Sequence, residues 1–435
     1  MSSSLKEISI DELLVGMFIV KMDVSWIKSP FLLHRRAITS KNDIFLLKKS
    51  GVKILTIDLD KSQIAPEQES DLNVSQSKNN ETQHPVMDEL KNESQEEVPD
   101  PVITPKISNE LTPECLDKPQ VPLDEEINNA VLLKEKACEA FNEIDALVKY
   151  NKPIPIKELE PVIDETISSL VRNSQALLTL MHLKRYDEKL FSHSFSVMSL
   201  ALTFAIKEGI KKDELKILGL ATLLHDIGWA QLPLNLFGKA KKYSSNELKV
   251  VHQHQKITNI IVNKSDTIPL AAKQLMMQHH ERIDGSGYPN NLKGKQIDSL
   301  ARILILTDYY DELVHGLLDR PGLIPSEALR LLYKEAVQKK QDKEHVELLI
   351  KLLGIYPLTS AVELTSGEKG LVVEVNREKP LVPVVKIMYT SEGNALAAPL
   401  IIDLEQDDKK RQIKGVVDLL NEKDDPQKLL VVEEV

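Results

Sequence analysis

Cysteine is nearly absent from this sequence. Cys115 and Cys138 stand alone among 435 residues, too few for a disulfide framework or a zinc ribbon. A reducing, cytoplasmic setting is the expectation. Basic residues are in deficit, 55 against 66 acids for a net charge of −11, which argues against an electrostatic nucleic-acid footprint. No apolar run approaches the roughly 20 residues of a membrane span. The opening MSSSLKEISIDELL lacks the charged-then-apolar pattern of a secretion signal. Aromatic residues make up only 4%, yet 42% hydrophobic content is enough for at least one sizeable core.

What is present falls into four stretches, and the whole reads as a multidomain, mainly α protein. Residues 1–60 alternate apolar and polar positions in short runs such as MFIVKMDV and VKILTID, with one helix around Ile44–Leu47. A small α+β domain is expected there. Residues 61–122 hold eight of the 22 prolines among Gln, Asn, Ser, Glu and Asp. Such a segment buries too little apolar area to offset its ordering entropy, so a disordered acidic tether is expected. Helical periodicity starts at Asp124 and recurs over 156–183, 191–208, 213–226, 245–263, 271–280, 300–315 and 326–339. Residues 123–355 therefore read as an all-helical domain. From Thr359 the period switches to two, which predicts a short β appendage ending near Leu404 and a mobile tail within 356–435.

Six of the eleven histidines lie between His193 and His280. The adjacent pair His225-Asp226 closes a buried helical run, in ATLLHDIGW, where two polar residues are costly unless satisfied. A private hydrogen bond inside a core is one explanation. The surroundings favour another, because His193, His254, the adjacent His279 and His280, and Asp308 come from separate helical segments, and several interrupt apolar stripes. Five imidazoles and two carboxylates suffice for two divalent ions, and mixed N/O ligation suits Fe, Mn, Zn, Co or Ni. Two ions about 3.5–4 Å apart favour hydrolysis of a phosphoester, with Asp226 the candidate bridge and catalytic residue. An oxygen-activating diiron bundle needs paired Glu-x-x-His motifs, which this chain lacks.

The run from about 180 to 353 resembles the HD-GYP branch of the HD phosphohydrolases. The matching residues are His193, His225-Asp226 with Ile227-Gly228, His254, HHERIDGSGYP from His279 to Pro289, Asp308 and Arg320-Pro321. The N-terminal ISIDELLVGMFIVKMDVSWIKSPF resembles a small domain that often precedes this branch. The resemblance implies a helical phosphodiesterase for cyclic di-GMP with two transition-metal ions, iron or manganese foremost. One ion would take His193, His225, Asp226 and Asp308; the other would take Asp226, His254, His279 and His280. His252 stands two residues before His254, and the family register assigns His254. The loop with Asp284, Gly285, Gly287, Tyr288 and Pro289 would border the substrate and make partner contacts, GGDEF-type signalling proteins among them. Those glycines and the proline also suit a tight turn. Lys239 and Arg320 are candidate phosphate contacts, though an exposed lysine and a helix cap are equally open readings.

Two departures stand out. The family usually carries lysine after His-Asp-x-Gly, and Trp229 stands here, to stack on guanine or fill the gap. Slow turnover is the expectation. Some members carry Glu four residues before the first His for a third metal, and Lys189 occupies that position. Two functions remain open: a phosphodiesterase yielding pGpG and further GMP, or a non-catalytic cyclic di-GMP receptor or scaffold.

Overall fold

The computed structural model describes residues 5–23, 36–38, 40–49, 51–59, 61–62, 112–183, 190–233, 236, 242–316 and 322–417. Two compact units divide the chain: one contains the N-terminal sheet, the other everything described from residue 112 onward.

In the N-terminal unit, strands β1 (Leu5–Ser9), β2 (Phe18–Met22), β3 (Arg36–Ala37) and β4 (Ile54–Asp58) form an antiparallel sheet in the order β1-β4-β2-β3. Helix α1 (Lys41–Lys49) follows β3. Alternation decides the faces: Ile8, Ile19, Leu55 and Ile57 point inward, as the two-residue period requires.

The second unit is built from ten helices among the described residues. They are α2 (Leu123–Lys149), α3 (Glu160–Leu183), α4 (Leu190–Lys207), α5 (Lys212–Leu224), α6 (Ser245–Val251), α7 (Gln253–Asn263), α8 (Leu270–Gln278), α9 (Ser299–His315), α10 (Pro325–Val337) and α11 (Lys343–Leu353). Helix α4 is apolar enough in composition to cross a membrane, but 89% of it is buried inside this body. Every residue from Phe191 to Ile206 is buried, so α4 is the core helix around which the others pack. The long periodic run expected over 245–263 is two helices. Ser244 and Glu247 form a capping box that starts α6, and the chain breaks at His252 before α7 begins.

The stretch expected to be a tether is ordered from Thr112. A break in helical geometry at Asn173 (φ −162°, ψ 99°) frees the Arg172 carbonyl, which accepts the Gln120 N–H at 2.8 Å. The Asn173 amide donates to the Val121 carbonyl at 3.1 Å, and Asp117 pairs with Lys207 at 2.6 Å and with Arg377 at 2.7 Å. Ordering these polar residues is offset by ion pairs and backbone bonds that composition does not reveal. The rest of that stretch, apart from residues 61–62, lies outside the described residues.

Five antiparallel strands complete the unit: β5 (Ala361–Leu364), β6 (Lys369–Glu374), β7 (Val384–Tyr389), β8 (Ala395–Asp403) and β9 (Ile413–Val416), in the order β8-β7-β6-β5-β9. The appendage therefore runs past Leu404. β9 returns through the polar turn after Asp403 and pairs with β5.

Candidate metal centre

Five helices and one loop deliver the polar residues to a single buried spot. His193 projects from the first turn of α4, and Asp308 from the middle of α9, which packs against it. His225 is the C-cap of α5 and Asp226 follows it, so the dyad stands where the helix ends and the chain turns. His254 lies in the first turn of α7; His279 caps α8, and His280 begins the loop beyond it.

Gly228 explains how close these elements come. A Cβ there would lie 2.1 Å from the His254 carbonyl oxygen, so only glycine lets the dyad turn rest on α7. Thr258 locks the contact: its hydroxyl accepts from the Gly228 N–H at 3.0 Å and donates to the His225 carbonyl at 3.2 Å.

The Asp226 carboxylate sits between two groups of imidazoles. Oδ1 lies 3.3 Å from His254 Nε2 and 3.4 Å from His279 Nε2. Oδ2 lies 3.7 Å from His193 Nε2 and 3.6 Å from His225 Nε2. Asp308 Oδ1 closes the second group, 3.1 Å from His193 Nε2 and 3.4 Å from His225 Nε2. His280 Nε2 joins the first, 2.9 Å from His254 Nε2. Two clusters with metal-ligand spacing result: Asp226, His254, His279 and His280, and His193, His225 and Asp308. All seven sequence candidates meet here.

The tautomers fit cations in these clusters. Nδ1 of His225, His254 and His279 lies 2.5–2.7 Å from the carbonyls of Thr222, Val251 and Met276. A carbonyl only accepts, so each Nδ1 carries the hydrogen and each Nε2 presents its lone pair inward. His254 and His279 therefore face each other with lone pairs 3.4 Å apart. Among the described residues His225 Nε2, Asp226 Oδ1 and Asp308 Oδ1 find no hydrogen-bond partner although buried. Converging lone pairs and orphaned carboxylate oxygens are costly unless a cation joins them.

The electrostatics divide the clusters further. Burial opposes the charged form of His193, but Asp308 and Asp311 outweigh it and hold the imidazole well above its ordinary value. Burial, then repulsion from His279 and His254, pushes His280 well below. Burial likewise lowers His254 to about 4, against the attraction of Asp226. Both Asp226 and Asp308 are lowered despite burial, through the imidazoles around them.

Asp311 is a buried contact of the site that the sequence reading missed. One turn after Asp308, its carboxylate accepts from His193 Nδ1 at 2.7 Å and reaches His315 Nδ1 at 3.1 Å. The i, i+3 spacing in DYYDEL was the available signal. His315 is the far end of this chain of contacts. Glu312 also lies close, in a group with His280 and Asp308.

The substrate candidates fare differently. Trp229 is buried rather than presented at the surface. It is 4% exposed, packed with Leu236 and Val251, and its indole lies parallel to the His254 imidazole with centroids 5.3 Å apart. In the loop, Asp284 is exposed and accepts from the Ser286 N–H at 2.9 Å, which makes a turn. Gly285 has φ +82°, and a Cβ on Gly287 would lie 2.4 Å from the Arg282 nitrogen. Buried Glu281 accepts the Asn290 and Leu292 N–H groups at 2.7 and 2.9 Å, which holds the loop shut on itself. Tyr288 packs beside His280, with exposed Pro289 after it. Lys239 and Arg320 lie outside the described residues, as does Lys189.

Three families match the chain in series: a domain of unknown function (DUF3391) over 5–159, an HD domain over 166–345, and a KOW domain associated with HD domain over 361–424. A cyclic di-GMP phosphodiesterase of Pseudomonas aeruginosa is 28% identical over 94% of this chain and 92% of that protein. A cyclic di-GMP phosphodiesterase response regulator of Xanthomonas campestris is 31% identical over 29% of this chain and 34% of its own. 3'3'-cGAMP-specific phosphodiesterase 1 of Vibrio cholerae is 26% identical over 37% of each. With a His-Asp dyad, its outlying histidines and an HHERIDGSGYP loop inside the matched region, the chain belongs to the HD domain family, in its HD-GYP branch.

Proposed function

We propose that this chain is a metal-dependent phosphodiesterase that opens cyclic di-GMP to linear pGpG and carries it on to GMP. The observation that supports it most is Asp226, whose two oxygens face two separate ligand clusters. When two divalent ions such as iron or manganese are bound there, they supply an activated water and neutralise charge on the phosphoryl oxygens. Asp226 orients both halves of the site through one rigid carboxylate. His193, His225 and Asp308 hold one side, and His254, His279 and His280 hold the other. Asp311 fixes the His193 ring by taking its Nδ1 hydrogen. The turn formed by Asp284, Gly285 and Gly287 sets the rim against which the dinucleotide lies, and Lys239 and Arg320 are the basic candidates for its second phosphate. The same loop is our candidate for contacts with GGDEF-type signalling proteins. Two free cysteines fit a reducing cytoplasm.

A second reading is a receptor that binds cyclic di-GMP without turning it over. The absence of a lysine at position 229 favours it. One experiment separates the two. Full-length protein loaded with Mn²⁺ or Fe²⁺ is incubated with cyclic di-GMP and, separately, 3'3'-cGAMP, and products are resolved by chromatography. Linear pGpG that disappears in Asp226→Asn supports the enzyme. Tight binding with no product assigns the receptor, and preference for 3'3'-cGAMP overturns the substrate.

A further inference from the structure

We propose that His252 is a stacking platform for a purine base of the substrate, an inference that rests on the cyclic dinucleotide reading above. Three aromatic rings form a row that leads outward from the metal centre. Tyr288 lies in the middle, 4.8 Å from the His280 ring at 27° on one side and 4.5 Å from the His252 ring at 31° on the other. The row begins at the reaction centre, since His280 Nε2 stands 2.9 Å from His254 Nε2. It ends in solvent, since His252 is exposed while Tyr288 is half-buried.

The position of His252 is set by the break between α6 and α7. It caps both helices through backbone alone, with no side-chain cap bond at the start of α7, so its ring is spared for another task. One face covers Tyr288. A ring that only braced Tyr288 would need no exposed surface, and an aliphatic side chain would do as well. An exposed imidazole, two ring contacts from the proposed phosphodiester site, supplies what a flanking base requires. Such a contact contributes about 1–3 kcal/mol per base, and any base offers a π-face. Purines have a larger and more polarisable π-system than pyrimidines and stack more strongly, so the platform favours cyclic dipurine over cyclic dipyrimidine dinucleotides. In a cyclic dinucleotide the bases flank the two phosphates. One base seated on His252 therefore presents the neighbouring phosphate toward Asp226.

The test is equilibrium binding of hydrolysis-resistant phosphorothioate forms of cyclic di-GMP and cyclic di-UMP to the full Mn²⁺-loaded chain. His252→Ala should weaken the purine ligand roughly 5- to 100-fold and the pyrimidine ligand far less. His252→Phe should restore the purine preference. Metal content by elemental analysis should match wild type in both variants, which separates this role from support of His254. Equal losses on both ligands would overturn the proposal in favour of a brace for Tyr288, and so would no loss on either. If wild type binds neither ligand, the cyclic dinucleotide reading fails first and this proposal falls with it. Binding by wild type with an unaffected His252→Ala sinks this proposal alone.

Discussion

The indole of Trp229 lies flat against the imidazole of His254, 13° from parallel. The residue at position 229 is thus the wall behind a candidate ligand, held among Leu236, Val251 and Tyr243. Trp229→Lys should not speed turnover. An ammonium would be driven into an apolar pocket, and loss of the ring leaves a cavity of a kind that costs about 3–5 kcal/mol. A fall in melting temperature, with metal lost mainly from the His254 side, is the expected result. Trp229→Phe should keep most of both. A faster Trp229→Lys enzyme with unchanged stability would refute this.

Asp226→Ala should empty both halves of the centre together, because each carboxylate oxygen serves one half. His254→Ala should empty one. Elemental analysis of protein purified without chelators should approach two ions per chain in wild type, none in the first variant and one in the second.

Asp311→Asn removes the charge that holds His193 Nδ1 at 2.7 Å. Metal affinity should drop about 10- to 100-fold, the usual cost of losing such a support. Competition with a fluorescent chelator measures it. Unaltered affinity would make the contact incidental.

Much of the candidate site was legible in the sequence because several of its residues break an apolar stripe, and a polar group amid apolar ones needs a physical reason. His193 in FSHSFSV and Asp308 in LILTDYY are plain in this way. Partners across helices were not legible. Nothing local to Trp229 says that its ring meets a residue 25 positions later, and Asp311 reads as an ordinary polar position until α4 is laid beside α9. The helical body was evident from its period. Its N-terminal extension from Thr112 was not, since prolines and acids read as solvated chain, whereas Asp117 is held by two cations.

That extension yields a stability test. A fragment beginning at Thr112 should melt several degrees above one beginning at Asp124. The shorter one loses the pairs of Asp117 with Lys207 and Arg377 and the bond from Gln120 to Arg172. Equal melting temperatures would show that these contacts contribute nothing.

Lys386 lies fully buried in β7, and burial pushes its ammonium from 10.5 down to about 7. Between these values the unfolded chain holds a proton that the folded chain does not, so stability rises with pH across that window. Lys386→Met should therefore stabilise the protein most at and below pH 7, an advantage that shrinks as pH approaches 10.5. Denaturant titrations at pH 7 and pH 10 distinguish the two cases. A gain independent of pH would mean that the amine is not the cause.

The contact beneath Gly228, where a Cβ would sit 2.1 Å from the His254 carbonyl, limits how this protein can diverge. The dyad turn and α7 are effectively one machined part with no clearance, so insertions or drift in either would misalign both halves at once. Freedom to change lies beyond that joint. Position 252, exposed and proposed above to carry a base, can exchange its ring without disturbing the centre. A lineage can therefore change its ligand preference by substitution while inheriting the reaction geometry intact.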